Sequence, residues 1–242
     1  PARLPSNEGG LFCNRKRTEG RRAAVLNVEE ALRYLGVRGP VPDGLRGQAE
    51  DVAAQLTARI TPRFVYRVFP LLREGERLSL SGTGIVLPGR TAGTLLAQCD
   101  QAVLLACTLG SGFDAMLRAE QARDMARAVL LDACGSAWVE SGCDAAEAQL
   151  QRRLPGRYRT DRFSPGYGDL PLQVQPQVCA ALDAGRRLGL SVTESLLLNP
   201  AKSVTAVIGL SDTPQRARIR GCAYCSMRES CTLRKGGNHC GS

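Results

Sequence analysis

The stretch from Asp124 to Leu150 constrains the fold more than any other part of the sequence. Apolar and small side chains recur along it at helical spacing, namely Met125, Val129, Ala133, Ala137 and Ala148. Small side chains let a helix approach its neighbours closely, and interiors are packed to high density. The stretch therefore predicts one long helix that packs tightly inside a core.

Segments of mixed type surround this helix. Further helices are predicted over 27–36, from Asp43 to residue 60, and over 91–98 and 175–188. Extended segments are predicted over 63–69, 77–80, 84–87, 102–107, 193–198 and 203–210, and the first three suit a small antiparallel sheet. The sequence thus predicts an α+β fold of mixed small sheets and long helices.

The net charge of +9 belongs to the two ends of the chain. Of 32 basic and 23 acidic residues, segments 1–24 and 213–242 together hold 12 and 3, which leaves 20 of each in the middle. We therefore divide the chain into a basic arm (1–24), a neutral domain (25–212) and a Cys-rich tail (213–242). Only 5% of the residues are aromatic, so the pattern of basic and aromatic side chains typical of nucleic-acid binding is missing.

Apolar stretches bear on membrane association. The longest of them, such as 102–106, fall far short of the roughly 18 residues that a membrane span needs. The polar, basic N-terminal segment lacks the apolar centre of a secretory signal. These features predict a cytoplasmic protein without a membrane partner.

The ten cysteines fall into two groups. Six are scattered, mostly among apolar or small residues, and are predicted to be buried free thiols. The other four, Cys222, Cys225, Cys231 and Cys240, have the spacing C-x2-C-x5-C-x8-C, which suits a four-thiolate metal site in a reducing compartment. Three cysteines close together with a distant fourth favour a [4Fe-4S] cluster, with zinc as the alternative, and His239 is a less favoured ligand.

A loop over 162–171 combines chemistry-bearing residues with conformational freedom. Arg162 can hold a carboxylate through two hydrogen bonds, and Tyr167 offers an apolar face with a polar tip. Gly166 and Gly168 allow a close backbone approach or a positive φ. The pattern alone leaves two interpretations open: a small-molecule site, or a structural turn whose arginine pairs with a neighbouring acid.

Two motifs in this region carry a resemblance to a known family. The first is Arg162-x3-Gly166-Tyr167-x3-Pro171, and the second, after one predicted helix, is Thr193-Glu194-Ser195-x4-Pro200-x2-Ser203-Val204. In this order they resemble the C-terminal reactivation domain of cobalamin-dependent methionine synthase, an α+β fold that binds S-adenosylmethionine. The similarity of motifs covers 162–209, and the element order from Val28 onward resembles the free-standing form of that domain.

The resemblance implies a function and a set of site residues. The domain supports reductive remethylation of cob(II)alamin with a methyl group from S-adenosylmethionine. By similarity, Arg162 binds the carboxylate of the methionine moiety, the backbone at Pro165 and Gly166 holds adenine and ribose, and Tyr167 lines the site. Ser164 and Ser203 complete the expected cofactor-binding set. Glu140 and Asp132 on the long helix are the candidates for acids that close the site, and each is equally compatible with an ordinary salt bridge.

The resemblance also implies partners. They are the cobalamin-binding methionine synthase subunit, which carries the cobalamin, and an acidic electron donor such as a flavodoxin or ferredoxin. Two rival functions stay open. One is a corrinoid-handling or metal-binding accessory module that does not bind the methyl donor, and the other is a zinc-ribbon protein whose basic ends bind nucleic acid.

Overall fold

The computed structural model describes residues 11–13, 25–37 and 40–215 of the 242-residue chain. Its helices are α1 (Val28–Tyr34), α2 (Leu45–Arg59), α3 (Arg90–Leu95), α4 (Ser111–Gln121), α5 (Met125–Arg153), α6 (Gln175–Ala181) and α7 (Ala184–Leu188), with a 3-10 turn at Leu172–Val174. Its strands are β1 (Leu11–Cys13), β2 (Arg63–Glu74), β3 (Arg77–Leu80), β4 (Gln101–Thr108), β5 (Tyr158–Arg159), β6 (Ser191–Val192), β7 (Leu198–Asn199) and β8 (Ser203–Ser211).

One antiparallel sheet lies at the centre, with strand order β1-β2-β4-β8-β5 and with β3 paired to β2 as a hairpin. Strand β4 is buried on both faces. Val103 and Leu105 point into one core, and Leu104 and Ala106 into the other. Because successive side chains of a strand alternate between faces, a strand covered on both sides is apolar at every position. The predicted buried strand over 102–107 is confirmed.

Helices cover both faces of the sheet. Helices α1, α2, α4 and α5 pack over one face around residues such as Phe64, Phe113 and Ile208. Helices α3, α6 and α7, with strand β3, enclose the second core around Phe69, Phe163 and Val207. This arrangement confirms the predicted α+β class with long helices and a small antiparallel sheet.

Helix α5 is the predicted long helix. It runs for 29 residues, about 44 Å, from an N-cap at Asp124 whose side chain accepts a hydrogen bond from the Arg127 amide at 3.1 Å. A Cβ at Gly142 would lie 2.5 Å from Cβ of Pro62 and 2.7 Å from Sγ of Cys107. The small residues of the helix therefore do allow the close approach to the sheet that their pattern predicts.

The buried face of α5 differs from the predicted one at both ends of the helix. Met125 and Val129, expected in the core, are 61% and 52% exposed. Ala128, Leu131 and Trp138 are buried instead. Ala148, at the end of the predicted stripe, is exposed as well, so the buried face of the helix is offset from the predicted stripe at both ends.

Three local predictions are wrong. The helix expected over 175–188 is broken at Asp183, which has a φ of +51°, into α6 and α7. The strand expected over 193–198 is a turn between the two-residue strands β6 and β7, held by the Leu197 amide, which donates to Thr193 Oγ1 at 3.1 Å. Helix α2 begins behind Gly44, with a φ of +79° and no side-chain cap, rather than behind Asp43.

Within the described residues, no helix is long and apolar enough to cross a membrane.

Candidate ligand-binding site

The loop that follows β5 runs along the edge of the sheet beside β8. Thr160 donates its amide to the Gly209 carbonyl at 3.1 Å, and Phe163 and Val207 exchange amide-to-carbonyl hydrogen bonds at 3.0 and 2.7 Å. The Phe163 side chain is 2% exposed and lies in the second core. Residues 160–163 are therefore fixed to the sheet by backbone pairing and by burial of one aromatic ring.

Beyond Phe163 the loop folds back on itself. The Gly166 amide donates to the Leu170 carbonyl at 2.7 Å, and the Tyr167 amide donates to the Ser164 carbonyl at 3.0 Å. Gly168 has a φ of +59°, and a Cβ there would lie 2.4 Å from Thr91 Oγ1 on α3. Both the backbone conformation and the lack of space require glycine at this position.

Asp169 fastens the tip of the loop to helix α3. Its carboxylate accepts hydrogen bonds from the backbone amides of Arg90, at 2.6 Å, and Thr91, at 2.9 Å. These are amides of the first turn of α3, which have no partner inside the helix. Hydrogen bonds from the Thr91 side chain, the Thr91 amide and the Arg90 amide lower the pKa of Asp169 from 3.8 to about 2.

The Arg162 side chain contacts helix α5. One of its terminal nitrogens, Nη1, contacts Asp144 Oδ1 at 2.6 Å and also Glu147, and the other, Nη2, contacts Glu140. The arginine side chain is only 9% exposed. Glu147 in turn accepts a hydrogen bond from Arg159 Nη1 at 2.8 Å. We refer to these five side chains as the Arg162 cluster.

An open groove of about 370 Å³ borders the Arg162 cluster. Its lining includes Glu147 and Arg159, which belong to the cluster, together with Tyr158, Thr160 and Asp161. This volume lies within the range of roughly 300 to 1,000 Å³ typical of small-molecule sites.

Five of the six predicted ligand-binding residues share one loop, as their positions between 162 and 167 require. Arg162, Ser164, Pro165, Gly166 and Tyr167 lie on the one loop, with Pro165 buried and Gly166 exposed. Ser203 begins β8, and its Oγ lies 2.7 Å from both Thr108 Oγ1 and the Pro200 carbonyl oxygen. Within the described chain, the hydrogen bonds of Ser203 therefore serve the β4–β8 pair rather than the loop.

The two candidate acids of the long helix have different partners. Glu140 contacts Arg162, whereas Asp132 pairs with Lys202, whose Nζ lies 2.9 Å from Asp132 Oδ2. The sequence reasoning missed Asp144 and Glu147. The spacing 140, 144 and 147 on a predicted helix places three acids on one face, and this signal was available in the sequence.

Gln175 was also missed, although it ties α6 to β8. Its side chain is 5% exposed, accepts a hydrogen bond from Thr205 Oγ1 at 3.2 Å and donates one to the Leu196 carbonyl. No sequence signal separates this buried glutamine from the exposed glutamines near it.

The predicted metal ligands Cys222, Cys225, Cys231 and Cys240 lie outside the described residues. In the part of the chain that the structure does describe, no three His, Cys, Asp or Glu side chains are grouped so that they could hold a metal ion. Five scattered cysteines are buried free thiols, as predicted: Cys99, Cys107, Cys134, Cys143 and Cys179. Burial raises the pKa of Cys99, Cys134 and Cys179 to about 11, so these thiols are protonated at neutral pH.

The sheet and its covering helices define an α+β domain. In this domain the loop that follows β5 runs beside β8, the last strand. Among solved structures, the chain is similar to the crystal structure of the MetH reactivation domain bound to AdoHcy. The TM-score is 0.61 at 14% sequence identity, and the match covers 95% of this chain and 86% of that one. At this identity the likeness shows the fold, and it confirms the fold that the sequence motifs predict. No protein-family model matches the sequence, and no curated protein matches it.

Proposed function

We propose that this chain binds S-adenosylmethionine and supports the reductive remethylation of cob(II)alamin on a cobalamin-dependent methionine synthase. The observation that carries the proposal is the fold, which over 95% of the chain is similar to a domain bound to AdoHcy. The motif Arg162-x3-Gly166-Tyr167 also supports it, because its residues lie on one loop and the side chains paired around Arg162 include Glu147 and Arg159, which line an open groove.

The residues of the loop fit a ligand that combines an adenosine with an amino acid. Gly166 is exposed with a φ of +90°, so its backbone is open to close approach. Arg162 supplies two donor nitrogens for a carboxylate and Tyr167 an aromatic face. When bound, S-adenosylmethionine supplies a methyl group already activated on sulfur, so the chain's own residues need only bind and orient it.

Calorimetric titration with S-adenosylmethionine and with AdoHcy tests the proposal. We expect both to bind, and Arg162→Lys to weaken binding because lysine cannot hold a carboxylate through two parallel hydrogen bonds. Arg127→Lys is the matched control, since Arg127 is a partly buried, paired arginine that contacts Glu120 at 3.2 Å away from the loop. Absence of binding to the wild-type protein, or equal losses in both variants, refutes the proposal.

A second function is favoured by one observation. Three carboxylates already surround Arg162, which suits the interpretation of the arginine as a structural residue. In that case the chain is a corrinoid-handling or metal-binding accessory module that does not bind the methyl donor. Titration with S-adenosylmethionine separates the two functions, since the accessory module gives no heat with this ligand.

We propose further that Cys222, Cys225, Cys231 and Cys240 hold a [4Fe-4S] cluster, with zinc as the alternative, and that the cluster relays an electron from an acidic flavodoxin or ferredoxin. The spacing of the four cysteines and the basic residues around them support this. Anaerobic purification followed by iron, sulfide and zinc analysis is the test. One zinc per chain without iron or sulfide refutes the cluster.

A further inference from the structure

The three carboxylates that contact Arg162 are held very differently. Glu147 is 17% exposed and is shared with Arg159, and Glu140 is 28% exposed. Asp144 is 65% exposed, and its contact is with Arg162 Nη1. The cluster therefore combines two enclosed acids with one acid that lies largely in water.

This difference decides which carboxylate can leave Arg162. An exposed ion pair contributes little to stability, because water screens the charges and the side chains lose freedom when they pair. A mostly enclosed carboxylate instead keeps a poorly hydrated charge when it is separated from its arginine. Asp144 is therefore the partner that Arg162 can exchange at least cost.

The exchange matters because a ligand carboxylate needs the same atoms. Arg162 Nη1 is shared by Asp144 and Glu147, and Nη2 is engaged by Glu140. A carboxylate that binds this guanidinium through two hydrogen bonds must replace at least one of these partners. It also brings a negative charge beside a cluster whose three acids already outnumber its two arginines.

We infer that Asp144 is a built-in competitor that occupies Arg162 Nη1 in the ligand-free protein and lowers the affinity of the site for adenosine ligands that carry an amino-acid carboxylate. The inference rests on the proposed function. Asp144 thereby sets the affinity of the site without being needed for the fold, and the site distinguishes ligands with the carboxylate from those without it.

The experiment compares Asp144→Ala with the wild-type chain against two ligands by calorimetry. AdoHcy carries the carboxylate, and 5′-methylthioadenosine has the same nucleoside without the amino-acid portion. We expect Asp144→Ala to bind AdoHcy about two- to fivefold more tightly. This factor corresponds to the free energy of one exposed ion pair, which the ligand no longer has to break. Binding of 5′-methylthioadenosine is expected to stay unchanged.

Asp51→Ala is the matched control, because Asp51 is also an exposed aspartate inside a helix, α2. The Asp51→Ala substitution changes charge and helix propensity in the same way as Asp144→Ala and should leave AdoHcy binding unchanged. Urea unfolding of both variants verifies that each is folded.

The outcomes separate the inference from the proposed function. If wild type binds AdoHcy and Asp144→Ala binds it equally or more weakly, the inference is overturned and the function stands, and a weaker affinity assigns Asp144 to the ligand ammonium. If both ligands tighten alike, the effect is not directed at the carboxylate, and the inference fails. If neither protein binds AdoHcy, both the inference and the proposed function fail.

Discussion

Substitution of Gly168 by alanine tests whether the candidate site depends on close packing between the loop and helix α3. The φ of Gly168 is +59°, and a Cβ would lie 2.4 Å from Thr91 Oγ1 and 3.3 Å from Thr91 Cβ and Cγ2. Two separate costs are therefore expected, one from the backbone conformation and one from the collision with Thr91.

Gly75, in the turn between β2 and β3, isolates the first cost. Its φ is +60°, and a Cβ there would meet no atom within 4 Å. An L-residue in the left-handed region costs about 1–2 kcal/mol, so Gly75→Ala should destabilise the protein by that amount. Overpacking typically adds about 1–3 kcal/mol, so Gly168→Ala should cost roughly 2–5 kcal/mol in total.

Urea unfolding measures both variants and the double variant Thr91→Ala/Gly168→Ala. Because Thr91→Ala removes the oxygen that the new Cβ would meet, we expect the double variant to lose less stability than the sum of the single variants, by about 1–2 kcal/mol. AdoHcy affinity should fall in Gly168→Ala and stay unchanged in Gly75→Ala. Equal destabilisation by the two glycine substitutions would refute the reasoning.

Three further predictions concern the same region. Asp169→Asn should lower the melting temperature at pH 7; because the pKa of Asp169 is lowered to about 2, its contribution is present above pH 3.8 and is lost as the pH falls toward 2. Thermal melts across this pH range check the prediction, and a difference that is as large at pH 2 as at pH 7 contradicts it. Phe163→Ala should destabilise the fold by about 3–5 kcal/mol in urea unfolding, because it empties a site that is 2% exposed, whereas Phe163→Leu should cost much less. Asp132→Asn should leave AdoHcy affinity unchanged in calorimetry, since Asp132 pairs with Lys202 and not with Arg162; a clear loss would place Asp132 in the site.

The parts of the fold that were predictable are those whose pattern reflects their own burial. Strand β4 is apolar from Ala102 to Cys107 because both its faces are covered, and α5 is rich in small residues because it lies against the sheet. The break at Asp183 and the turn at Thr193 depend instead on single residues with positive φ or on side-chain hydrogen bonds. Periodicity does not record such features.

The candidate site was likewise predictable only in part. The motif around Gly166 allowed the position of the loop to be predicted, because several glycines and prolines within ten residues indicate a loop of unusual backbone conformation. The partners of Arg162 come from α5, 15 to 22 positions earlier in the chain. Only the return of the loop along β8 brings that face of α5 to the arginine, and this step required the tertiary structure.

In the candidate site the loop backbone is held rigidly, whereas the carboxylates around Arg162 can be exchanged. The loop is fixed at Phe163 by pairing with Val207 and at Asp169 by the first turn of α3. The backbone between these two points is therefore already ordered, and a ligand that binds there need not order it. The cost of binding then falls mainly on the exchange of carboxylates at Arg162, where Asp144 is exposed and Glu147 is enclosed. It follows that substitutions at the fixed points should change stability and affinity together, whereas substitution of Asp144 should raise affinity and cost no more stability than an exposed ion pair contributes.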